Sequence, residues 1–230
     1  MAARHRRRPA ARIGGFTLVE LLVALVVMAL LAIMSWRGLD GMARAQEQTK
    51  ARSDEVLALQ AGLAQWTADL DAVTAVQRLQ ALDWDGRALR ITRRGSGGDA
   101  DGLRVVAWAR GATPGGLYWL RWESLPLTTR GEWEEAWQQA ALWAQNPGEA
   151  QRARQVAIAA LAEWQLYYYR NDAWSNPLSS EGTAATIGSA NGIPTVPDGV
   201  RLVLVLSPGQ AISGPLVRDW VGPTVGGGKS

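Results

Sequence analysis

Gly15–Met34 reads GFTLVELLVALVVMALLAIM, and how this stretch is understood decides the rest of the chain. From Phe16 to Met34 every residue except Thr17 and Glu20 is apolar, and as a helix these 19 residues span about 30 Å, the hydrocarbon thickness of a bilayer. A secretory signal peptide would have a shorter apolar run with a small-x-small cleavage site close behind it. The nearest such site, Ala43-Arg44-Ala45, follows nine residues later with Arg37 in between. A twin-arginine address fits no better, since Arg7-Arg8 is followed by Pro9. An ordinary signal anchor accounts for the apolar run but not for Glu20, a carboxylate that costs a few kcal/mol in hydrocarbon unless it is paired. The nearest base, Arg12, is eight positions away. A cut between Gly15 and Phe16 would supply an ammonium group close to the required depth.

On the N-terminal side of the run lie Arg4, Arg6, Arg7, Arg8 and Arg12, the only histidine (His5) and no acid. This leader holds five of the chain's 24 bases and none of its 21 acids. The 230-residue chain has a net charge of +3, but beyond residue 15 there are 19 bases against 21 acids, a net charge of −2. The sequence pI of about 9.7 therefore belongs to the leader. The remainder gives no electrostatic reason to expect a nucleic-acid partner. Without the leader there is no imidazole for acid–base catalysis or a His-ligated metal, and the absence of Cys excludes disulfides and thiolate sites. The charge bias orients the N-terminus to the cytoplasm and the C-terminal bulk outside.

The Arg-rich leader, Gly15, the run Phe16-Thr17-Leu18-Val19-Glu20 and the apolar stretch together resemble the class III signal of type IV pilins and type II secretion pseudopilins. The resemblance implies that a prepilin peptidase cuts between Gly15 and Phe16 and methylates the new amino group of Phe16. It implies for Glu20 a role in assembly, neutralising the terminal amine of a neighbouring subunit.

Beyond Met34 no proline occurs until Pro114, and Val56, Leu59, Leu63, Trp66 and Leu70 recur at helical spacing to form one apolar stripe. The stripe predicts a helical stalk packed on the protein's own sheet, with Gly38 and Gly41 marking a weaker, flexible exit from the membrane. From about residue 84 the pattern turns to short β-like runs, and strands are predicted over 88–93, 103–109, 117–123, 163–170, 200–206 and 216–221. In the third, Tyr118, Leu120 and Trp122 alternate with Trp119, Arg121 and Glu123. Residues 132–143 and 150–162 read as helical or irregular, and 171–198 as a long polar loop.

A long N-terminal helix followed by a mainly antiparallel sheet gives an α+β, pilin-like fold class. The predicted organisation is a cleaved leader (1–15), a transmembrane helix (16–36), a periplasmic helical stalk (37–76), a β-rich periplasmic domain (77–222) and a flexible tail (223–230). Within the superfamily the chain resembles the type II secretion minor pseudopilin J family. A mature length of 215 residues, the run Trp36-Arg37-Gly38-Leu39-Asp40, the Asp69-Leu70 end of the stalk and the aromatic strand 164–169 with Trp174 and Pro197 carry the likeness. It implies a single-pass inner-membrane protein at the tip of the pseudopilus. The implied partners are minor pseudopilins I and K, with H and the major pseudopilin G beyond them. Retention of Glu20 separates the chain from subunit K. A minor pilin of a type IV pilus or DNA-uptake machine is the alternative within the superfamily, and a signal-anchored enzyme is the alternative outside it.

No catalytic constellation stands out, and neither a cofactor nor a metal is expected. Gly228-Lys229-Ser230 lacks the first glycine and the following helix of a phosphate loop, and Gly95–Asp99 reads as a turn. The acidic pairs Asp69/Asp71, Asp83/Asp85, Asp99/Asp101 and Glu134/Glu135 lack the oxygen ladder of a calcium loop, with Asp99/Asp101 the one weak calcium candidate. The surplus of Trp and Tyr reads as core anchors, with an exposed subset available to sibling subunits.

Overall fold

The computed structural model describes residues 15–95, 102–179 and 195–223. The chain divides into two units, residues 1–51 and 52–230, and helix α1 (Leu18–Asp71) contributes to both. In the first unit the apolar side chains from Phe16 to Met34 are exposed on every face of the helix, as expected for a segment that meets lipid. This is the one described helix long and apolar enough to cross a membrane. It passes through Gly38 and Gly41 without interruption, contrary to the expected flexible exit. Two isolated glycines cost about 1 kcal/mol each, which the surrounding helix-forming residues outweigh, and Asp40 and Arg44 add an i,i+4 ion pair at 2.5 Å.

The second unit is built on one antiparallel sheet. Its strands are β1 (Leu82–Trp84), β2 (Ala88–Arg94), β3 (Leu103–Thr113), β4 (Gly116–Glu123), β5 (Gln155–Arg170), β6 (Ala173–Ser175), β7 (Gly199–Leu206) and β8 (Gly214–Val221). They lie in the order β1-β2-β3-β4-β5-β7-β8, with β6 also on β5. The central strand serves two lobes. Its first part, Gln155 to Ala160, pairs with β4, and from Leu161 to Tyr169 it pairs with β7. Residues 150–162, expected to be helical or irregular, form only a single turn, α3 (Glu149–Arg152), before β5 begins. The Ala-rich run favours a helix locally, but pairing with β4 overrides that preference. The absence of a side chain at Gly62 of α1 makes room for this strand: a Cβ added there would come within 2.4 Å of Ile158 Cγ2, so α1 and β5 approach closely.

The alternation read in β4 is observed, and both of its faces are buried. Trp119 joins Trp66 and Trp108 under α1, in a core with Leu59, Leu70, Ile91, Leu161, Leu202 and Leu204. The stripe on α1 thus packs on the protein's own sheet, as predicted. Leu120 and Trp122 face the other way, against α2 (Arg130–Gln145), whose Trp133, Ala136, Trp137, Ala140 and Trp143 form its apolar face. This helix opens with a capping box: Thr129 Oγ1 accepts from the Glu132 amide at 3.2 Å, and Glu132 Oε2 accepts from the Thr129 amide at 3.0 Å. No such helix covers the outer side of the second lobe among the described residues. There the rings of Tyr169 and Trp174 pack at a tilt of 50° with centroids 5.1 Å apart, and Arg201, bidentate to Asp219 at 2.7 Å, lies over Trp174. The expected loop from residue 171 instead starts with a tight hairpin. Asn171 and Asp172 have φ of 50° and 62°, the conformation of a two-residue turn, and lead into β6. The rest of that loop, 180–194, lies outside the described residues, as do leader residues 1–14 and tail residues 224–230.

One charge holds the end of α1. Asp69 is 0% exposed and accepts five hydrogen bonds: from Gln65 Nε2 at 2.8 Å, Arg93 Nη1 at 2.5 Å, Trp108 Nε1 at 2.9 Å, and Arg121 Nε and Nη2 at 2.8 and 2.9 Å. The last turn of α1 carries acids and no base, which opposes the helix dipole, so the two guanidinium groups from β2 and β4 supply the missing positive charge. Burial alone pushes the Arg121 guanidinium down. The hydrogen bonds and charge of Asp69, with Glu123 behind them, more than offset this and hold it above its ordinary value.

Candidate functional site

The sequence singles out Gly15, Phe16 and Glu20, and the structure brings the last of these together with a residue that the sequence reading passed over. Residues 15–17 are non-helical, and Phe16 is 86% exposed, so the Gly15–Phe16 bond lies in open chain just before α1. Thr17 is the residue before the first helical turn. Its amide and hydroxyl donate to Glu20 Oε2 at 3.0 and 2.9 Å, and its Oγ1 accepts from the Glu20 amide at 3.3 Å. This is a capping box, T-x-x-E, and it satisfies helix-terminal donors that hydrocarbon would leave bare. The same four-residue signal, Thr129 to Glu132, opens α2. The signal was therefore legible in Thr17-Leu18-Val19-Glu20, where the sequence reading had looked to an amine alone to explain the carboxylate.

The cap engages one carboxylate oxygen. Among the described residues Glu20 Oε1 accepts no hydrogen bond, while Oε2 takes both donors from Thr17. The side chain is thus held toward the N-terminal end of α1 with an acceptor to spare. Such an arrangement can receive an ammonium group without uncapping the helix.

Residues 11–36 match the family described as the prokaryotic N-terminal methylation motif. No curated protein matches the chain significantly. The chain therefore carries the methylation motif of type IV pilin-like prepilins, joined to a long apolar helix and an antiparallel β-sheet domain. The described part of the motif spans the non-helical residues 15–17, the capping box and the apolar part of α1 up to Trp36.

The other candidates are distributed differently. Asp69 is saturated by its five donors, and Asp71 Oδ1 accepts from Trp220 Nε1 at 2.8 Å, so this pair serves packing. Asp83 pairs with Arg90, and Asp85 caps the β1–β2 turn by accepting from the Arg87 and Ala88 amides at 2.9 and 2.8 Å. Glu134 is bound by Arg130. Among the described residues no group of three or more His, Asp or Glu could hold a metal ion. Asp99 and Asp101, most of the Gly95–Asp99 turn, and Gly228-Lys229-Ser230 lie outside the described residues. Sequence reasoning missed Asp69 as a structural centre, although an acid three residues after Trp66, on the core face of the stripe, signals a buried partner.

Proposed function

We propose that the chain is a minor pseudopilin of a type II secretion system, of the J type, which acts at the tip of the pseudopilus to start or cap fibre assembly. The observation that carries this reading is the capped Glu20, one oxygen on Thr17 and the other open among the described residues, inside a matched N-methylation motif. Prepilin peptidase cuts the exposed Gly15–Phe16 bond and methylates the Phe16 amine. The leader leaves with its five arginines, and the mature subunit stays in the inner membrane through α1, its β domain in the periplasm. Glu20 Oε1 then receives the terminal ammonium group of a neighbouring subunit, which removes two unpaired charges from the membrane together. The domain is an assembly module that binds minor pseudopilins I and K, with H and G further down the fibre, and it catalyses nothing.

Mass spectrometry of the mature N-terminus tests the processing step, with N-methylated Phe16 expected and an intact Met1 contradicting it. Glu20→Ala is expected to be cut normally and to fail in assembly. Normal exoprotein secretion by that variant would remove the pairing role. Loss of twitching or of transformation, with secretion intact, would move the chain to a minor pilin of a type IV pilus or DNA-uptake machine.

A further inference from the structure

The sheet ends in two edges that are treated differently. At one, β1 is only three residues long, and the segment after α1 closes the rest of β2, with the Thr74 amide donating to Thr92 O at 3.0 Å and the Arg94 amide to Ala72 O at 3.3 Å. At the other, β8 is eight residues long, and among the described residues it pairs only with β7, in unbroken register from Gly199↔Val221 to Leu206↔Gly214. A long, regular, open edge is a template for another strand, and proteins generally blunt such edges.

The phase of the ladder shows which groups are open. The Gly222 amide donates to Asp198 O at 2.8 Å, in register with the β7–β8 pairs, so the even-numbered residues of β8 direct their main-chain groups to β7. The odd-numbered residues Pro215, Val217, Asp219 and Val221 direct theirs outward. Pro215 fits this phase, because an outward position has no ladder donor to lose. The amides of Val217, Asp219 and Val221 and the carbonyls of all four residues are the open row. Beside it, Val217 and Val221 are 57% and 62% exposed on the outer face, and Arg218 is exposed on the opposite face.

We propose that the outer edge of β8 is a β-augmentation site that receives an extended strand from a different subunit of the assembly, an inference that rests on the assembly reading above. A second copy of this chain does not supply the partner that Arg218 asks for. With the open rows of two antiparallel β8 strands meeting, the even-numbered Arg218 faces only even-numbered residues such as Leu216, Arg218 or Trp220 and never an acid, and the Arg218–Arg218 register sets like charges directly opposite each other. The strand that fits carries apolar, β-branched or aromatic residues opposite Val217 and Val221, and an acid opposite Arg218 on the other face. Asp219 makes no charge demand on the partner, since Arg201 already binds both of its oxygens. Main-chain bonds would give this contact its affinity and the alternate side chains its selectivity.

Hydrogen exchange on the full-length chain, purified in detergent and again as the assembled complex from producing cells, tests the proposal amide by amide. In the isolated chain, Val217, Asp219 and Val221 are expected to exchange on the order of 100-fold faster than Leu216, Arg218 and Trp220, and in the complex that gap is expected to close. Outward amides that stay fast in the complex, or that are already slow in the isolated chain, overturn it. Val217→Pro and, separately, Val221→Lys are expected to cut complex yield at least about tenfold while leaving the melting temperature within a few degrees, because neither position donates to β7. Undiminished yield from both variants overturns the edge. A concentration-dependent dimer of the purified chain that Val217→Pro abolishes overturns the choice of a different subunit. Assembly that needs Glu20 but is indifferent to both edge variants defeats this inference alone, whereas an uncut N-terminus defeats the reading beneath it.

Discussion

Glu20 and Asp69 occupy the first and last turns of the same helix and meet opposite surroundings. Glu20 stands in the open with one oxygen on Thr17 and the other, among the described residues, unengaged, whereas Asp69 is fully buried beneath five donors from α1, β2, β3 and β4. A carboxylate whose acceptors are all taken within its own chain can only hold that chain together. One with an acceptor left over, in a helix apolar enough to cross a membrane, is able to make a further interaction. The difference separates architecture from function more sharply than charge or position along the helix does.

The largest effect is expected at the buried end. Asp69→Asn removes the charge but keeps the shape, leaving Arg93 and Arg121 without their common counterion, and should destabilise the domain by about 3–5 kcal/mol. A thermal melt should fall by roughly 10 °C, and an unchanged melt would show that the cluster is not what holds α1 to the sheet. Replacing the whole cluster, Asp69→Leu with Arg93→Met and Arg121→Met, should recover most of that loss to within about 2 kcal/mol, since apolar packing of similar volume commonly matches a buried ion network. If the triple variant is as unstable as the single one, the charges themselves are required.

An intermediate effect belongs to Glu132, the carboxylate of the other capping box. The Thr128 and Thr129 amides hold its carboxyl below the usual glutamate range. The unfolded chain takes up this proton at the higher pH, so the stabilisation is complete above about pH 4.3 and is lost as pH falls through the lower folded value. Glu132→Gln should flatten that part of the acid side of a stability–pH profile, and a profile indistinguishable from the parent would show that the cap contributes nothing. The smallest stability effect is expected at the exposed end. Glu20→Ala should change the melting of the β domain by less than about 0.5 kcal/mol, even as it impairs assembly. A drop comparable to that of Asp69→Asn would end the contrast between the two carboxylates.

Much of this was readable in the residues. The apolar run from Phe16 to Met34 specified a helix long and apolar enough to cross a membrane, because nineteen nearly uninterrupted apolar positions leave it no polar face. The stripe from Val56 to Leu70 specified a packed face because its spacing matches the helical repeat. The β4 alternation was legible for the same kind of reason, although the presence of a core on each side of the strand was not. The Ala-rich start of β5 was misread, since its local preference is helical and only the neighbouring β4 and Gly62 select a strand. Asp69 was visible as an acid on an apolar face. Apart from Gln65, its partners come from residues 24 to 52 positions away, and sequence periodicity carries no information at that range.

The sequence by itself determined the N-methylation motif, the helix apolar enough to cross a membrane and the T-x-x-E cap at its start, all of which depend on neighbours within a few residues. Only the tertiary structure decided that α2 covers one lobe and that no such helix covers the other among the described residues, that Asp69 is saturated by donors from three strands and its own helix, and that the main-chain groups of the odd-numbered residues of β8 face outward. Each of these follows from which distant strands come to lie side by side, and that pairing is settled by burial across the whole sheet.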